Sequence, residues 1–258
     1  MGDMWNAPGD DTPRGPSALP GGDPQALSDP MSATNAVIAD VKDNLVPYLL
    51  CGLSFVTVFT LVTSACVAVP FVGILPGVIA EDELLLALGS VFGFVAYMLM
   101  LLAAIVIVYP LMAASTLRGI DQQLRGGPRL GLMSPVNDMF SGAGRVVALY
   151  ALGTLLTLVG MLFFYVPGLI VAVLMMFAMP MVVLEGAGPI EAMKRGWGHM
   201  LEHPSWHLPV WLLMFIGSAA MQLTIVGILF VYPVMLAYHL VAYRIAFGDP
   251  GPGGGVTV

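Results

Sequence analysis

Long apolar stretches alternate with short polar ones along this chain, on a scale that suits a membrane. Between Asp43 and Glu81 no residue is charged, and a helix needs only about 20 apolar residues to cross a bilayer. Later uncharged runs extend over Leu84 to Leu117, Val146 to Leu184 and Trp206 to Tyr243. Prolines and glycines punctuate them: Pro70, Gly73, Pro76 and Gly77 predict an end to the first helix, while Val166 to Gly168 and Thr224 to Gly227 predict tight turns that split the two later runs. The pattern predicts an all-α polytopic membrane protein of six transmembrane helices in three hairpins, with spans near 46–69, 84–117, 146–165, 167–184, 206–223 and 226–245.

Charge fixes an orientation for that scheme. With six spans and the N-terminus inside, all nine Lys and Arg fall on one side, as the excess of basic residues in cytoplasmic loops requires. Both termini are then cytoplasmic, in a bacterial inner membrane. Two amphipathic helices complete the membrane domain, 31–247. Val37, Ile38, Val41 and Leu45 recur at helical spacing before the first span, with Asp40, Asp43 and Asn44 elsewhere on the wheel, predicting a helix that rests on the membrane surface. A second begins at Pro189, a residue suited to a first helical turn.

Composition narrows the function classes. Of 258 residues, 58% are hydrophobic and 10% charged, against about 25% charged in a soluble domain. That excludes an ordinary soluble enzyme. The net charge of −7 arises mostly in residues 1–30 and the Glu81 to Glu83 turn, so it does not point to a basic partner, and nothing suggests nucleic acid. Residues 1–30, rich in Pro, Gly and Asp, and 248–258 read as flexible tails. Cys51 and Cys66 lie too far apart on one helix to bridge, and read as packing residues.

Chemistry is sparse. No Asp, Glu or Lys lies within a predicted span, Arg244 lies only at the end of the last, and His239 sits near the cytoplasmic interface, which lowers the case for ion-coupled transport. His199, His203 and His207 are spaced by four, yet Pro204 ends the helix between them, so the rings are expected to diverge beside Trp197, Trp206 and Trp211. No metal site, cofactor site or catalytic residue is predicted. Gly142 to Arg145 lacks the third glycine and the preceding strand of a dinucleotide loop. Pro110, Pro180 and Pro233 recur in the cytoplasmic halves of the even-numbered spans and read as helix kinks. Gly89 and Gly93 form a small-residue pair for close helix packing.

Several of these segments together resemble a known group. Asp138 to Gly142 before a span, Val166 to Ile170 at a hairpin, Pro189 to Met193 followed by Trp197 and His203, and Val226 to Ile228 between the last spans resemble uncharacterised six-span bacterial membrane proteins related to the membrane domain fused to some glycerophosphodiester phosphodiesterases. The resemblance covers roughly residues 36–247 and implies a membrane module without hydrolase activity. The expected function is a non-enzymatic module that organises a partner protein or membrane lipid through its cytoplasmic face. Arg118, Arg125, Arg129, Lys194 and Arg195 are the expected contacts, each basic residue near anionic lipid being worth about 1 kcal/mol. The alternative is a transporter or permease for a neutral or lipid-like solute, motivated by the three prolines.

Overall fold

The computed structural model describes residues 29, 31–163 and 166–248. Most of both predicted tails therefore lies outside the described residues. Those described are helical, without strands, and form α1 (Met31–Asp43), α2 (Leu45–Ala80), α3 (Glu83–Ala103), α4 (Tyr109–Leu124), α5 (Ala143–Leu162), α6 (Val166–Pro180), α7 (Pro189–Glu202), α8 (Pro204–Gln222) and α9 (Ile225–Phe247). Short π-helical segments, Ala104–Val108 and Met181–Glu185, join α3 to α4 and extend α6. Four helical stretches are long and apolar enough to cross a membrane: Leu45–Ala80, Glu83–Leu124, Ala143–Leu162 and Leu229–Phe247.

The first helix corrects the sequence reading. Instead of stopping before Pro70, α2 continues through Pro70 and Pro76 for 36 residues and ends at Glu81, which adopts a left-handed conformation with φ 53°. At 1.5 Å per residue it is about 54 Å long. At Pro70 the partner helix α3 presents a glycine, so the two backbones meet directly. A Cβ on Gly93 would lie 2.9 Å from Pro70 Cα, and one on Gly89 would lie 2.1 Å from the Gly73 carbonyl oxygen. Gly89 and Gly93 thus lie against Gly73 and Pro70 of the same chain. Beyond this seam the hairpin is apolar outward as well, with Phe71, Ile79, Leu84 and Phe92 all more than 60% exposed. An apolar exterior is what lipid requires.

Two predicted turns also move. Val166 to Gly168 form the first turn of α6, and the last hairpin turns at Leu223 and Thr224, where the Thr224 hydroxyl caps α9 by accepting the Gly227 N–H at 2.8 Å. The entry helix α1 is not laid on the membrane surface alone: Ala33 and Val37 are buried, and α1 packs on α9. Ile38 remains exposed, while Asp40 turns inward.

Helix α9 is the hub, packing against α1, α2, α4, α6 and α8. Its approach to α2 follows from Pro233. Proline has no N–H for the carbonyl four residues back, that of Leu229, and this carbonyl faces Gly52: a Cβ there would lie 1.7 Å from its oxygen. Only a glycine admits the contact. Pro110 and Pro180 flank the two π-helical segments, where an extra residue in the turn accommodates the missing donor. Gly52→Ala is therefore expected to push α2 off α9 and cost about 3 kcal/mol, lowering the melting temperature in detergent. Gly144→Ala, which meets nothing within 4 Å, should leave it unchanged.

Candidate functional site: a cavity between the hairpins above a buried carboxylate network

Three carboxylates tie the helices together at the basic end of the bundle. Asp40 of α1 accepts from the Tyr48 hydroxyl at 2.7 Å and from Gln123 Nε2 at 3.2 Å, linking α1, α2 and α4. Asp121 of α4 pairs with Arg125 at 2.9 Å and with Arg244 of α9. Glu185, at the end of the segment that follows α6, accepts from Arg195 of α7 and from the Tyr243 hydroxyl of α9. The hydrogen bond to Glu185 raises the Arg195 pKa, outweighing its partial burial.

This network changes the picture of the basic residues expected at lipid. Arg125 and Arg195 direct their guanidinium groups at carboxylates. Arg118 donates to the carbonyls of Asp138 at 3.1 Å and Ser141 at 2.6 Å, fixing the connection that enters α5 at Gly142. Arg129 and Lys194 are exposed. The sequence carries no direct signal for the network, since its carboxylates lie 81 and 64 residues apart along the chain. The spacings by four of Asp121 and Arg125 and of Asp40 and Asn44 are local traces of it.

The three histidines do not diverge as expected. The helix does break at His203, with φ −128° and ψ 53°, and α8 restarts at Pro204. The break folds the chain back so that the His199 ring centroid lies 5.0 Å from His203 and 5.8 Å from His207, under Phe247 and Trp206. Among the described residues no group of three or more His, Cys, Asp or Glu is arranged to hold a metal. His199 is buried, and neither ring nitrogen nor the Trp206 Nε1 finds a partner. Burial first, then the neighbouring His207 and His203, push its pKa down to about 4. It packs as a neutral aromatic ring.

Above the network lies a cavity of about 950 Å³ between α2, α4, α5, α6, α8 and α9, partly open to the outside. That is at the upper end of the range for small-molecule sites. Among the described residues, no Asp, Glu, Lys or Arg lines it. Thr157, Ser218 and Gln222 stand near the far ends of α5 and α8; a waist of Met175, Met176, Met179, Met214 and Met235 follows; and Tyr109, Tyr150, Tyr232 and His239 line the end nearer the carboxylates. Each of the three prolines directly follows a lining residue: Tyr109, Met179 or Tyr232. Their recurrence was legible in the sequence. Their convergence on one cavity was not. Cys51 and Cys66 are buried free thiols.

No family model, curated protein or solved structure matches this chain.

Two outcomes follow from the network and the histidine cluster. Asp121→Asn removes a carboxylate charge from the buried Arg244 guanidinium and should cost about 3 kcal/mol, whereas Glu185→Gln should cost less because Arg195 is 37% exposed. Thermal unfolding of both variants in detergent checks the order. His199 is neutral in the fold but takes a proton once unfolded, so its contribution is complete above about pH 6.5 and lost as pH falls towards 4. Unfolding midpoints should drop across that window, and His199→Phe should flatten the drop.

Proposed function

We propose that this chain is a multi-pass membrane module that binds an uncharged, lipid-like molecule between its hairpins, acting as a permease or carrier for neutral lipid. One observation carries the reading: a cavity of about 950 Å³ whose lining holds hydroxyl, amide, imidazole and thioether groups but no charge. A charged solute would lose its hydration there with nothing to replace it. An acyl or prenyl chain would lose nothing. Of the two functions expected from the sequence, organising a partner through basic loops is the less favoured, because Arg118, Arg125 and Arg195 already bind protein atoms.

The proposal includes six crossings with both termini on the cytoplasmic side of a bacterial inner membrane. Besides the four long apolar helices, α8 has 19 residues, and α6 with its π-helical extension runs from Val166 to Glu185. Each reaches about 30 Å, enough for the hydrocarbon core. The side assignment is supported by the nine Lys and Arg falling together in that topology.

The test is extraction with native lipid, followed by mass spectrometry of what stays bound. The expected result is a stoichiometric neutral lipid, depleted about tenfold by Thr154→Trp or Ser218→Trp, which place an indole in the cavity. Equal retention by both variants and the parent would overturn the reading.

A further inference from the structure

The inner end of the cavity differs from the rest of it. Four aromatic rings meet there: Phe55 stacks on Tyr232 with centroids 3.4 Å apart, and Tyr109 stands edge-on to Phe55 at 5.7 Å, to Tyr232 at 5.9 Å and to Tyr150 at 6.0 Å. Tyr232 directs its hydroxyl to Thr116 at 3.4 Å. The hydroxyls of Tyr109 and Tyr150 and the imidazole of His239 have no hydrogen-bond partner among the described residues, and all three residues line the cavity. They line a partly open cavity, where a ligand's polar atoms can reach them.

We infer that this end of the cavity is a head-group subsite for a prenyl quinone, with His239, Tyr109 and Tyr150 as donors to its carbonyl oxygens and the prenyl chain lying along the methionine waist. The inference rests on the neutral-lipid reading and names its ligand class. Three features select the head. It is uncharged, because the lining is. It is a hydrogen-bond acceptor, because phenols donate better than they accept and a neutral imidazole brings one N–H. It is a flat ring, because the walls are aromatic faces and edges, which favour stacked or edge-on rings over a tetrahedral alcohol carbon. The five methionines suit the chain, since unbranched thioethers adapt to an irregular apolar surface. The role assigned to the protein is binding, and no electron transfer is implied.

The experiment is a competition assay on the purified full chain in detergent, with a radiolabelled short-chain prenyl benzoquinone as probe. Saturable binding is expected, with a prenyl alcohol of the same chain length and a diacylglycerol each at least about tenfold weaker as competitors. His239→Leu should weaken the quinone about tenfold and the alcohol little. Tyr150→Phe removes a single oxygen and should weaken it severalfold, which keeps the test valid if the histidine variant fails to fold. Alcohol or diacylglycerol binding as tightly as quinone, or quinone affinity unmoved in Tyr150→Phe and in folded His239→Leu, would overturn the inference. Thr154→Trp separates the two levels. If it abolishes binding of every lipid while the head-group variants change nothing, the cavity stands and the quinone subsite falls. If it changes nothing, the cavity reading itself falls.

Discussion

The fold hangs on the sharing of buried carboxylates between helices. Asp40 and Glu185 each bind groups from two other helices and Asp121 binds one, and together they reach α1, α2, α4, α7 and α9. Near lipid there is little water to replace a lost partner, so each arrangement is stable only when complete. The hub helix α9 enters this network twice, through Tyr243 and Arg244. That doubles the constraint on its rotation and depth, and it explains why helices of such uniform apolar character settle into one packing.

Tying the helices at one end leaves the other end free to separate. Past the aromatic group at Phe55, Tyr109 and Tyr232, methionines and small hydroxyl residues are among the side chains that line the cavity. Proline recurs along its wall, since the residue before each of three prolines lines it. The network therefore does more than stabilise. It sets where the bundle closes, and so where an uncharged ligand can lodge.

The first hairpin follows a different rule. Its helices are held to each other by glycine against backbone, at Gly73 with Gly89 and Pro70 with Gly93, and carry no polar tie along that seam. Small residues permit the close approach, and dispersion between the backbones supplies the attraction. The hairpin can then present apolar side chains on its remaining faces. Its length of about 54 Å exceeds a hydrocarbon core of about 30 Å, so it tilts in the membrane or extends beyond it.

Hydrophobic periodicity and the clustering of charge determined the helical class and the presence of helices long and apolar enough to cross a membrane, because lipid imposes length and polarity on each segment separately. Pro204 correctly marked the break between α7 and α8, since a missing N–H and a fixed φ act locally. Local rules failed where a distant residue compensated. The halt expected at Pro70 is absent, and α2 continues there packed against Gly93, while the histidines expected to diverge are brought together by the fold of α7 back on α6 under Phe247. Asp40 reads as a surface residue on its own wheel and becomes interior only because Tyr48 and Gln123 satisfy it. The cavity belongs wholly to the tertiary structure. Its lining comes from six helices whose apolar stretches, taken singly, read as membrane spans, and only their shared anchoring at one end makes the volume between them.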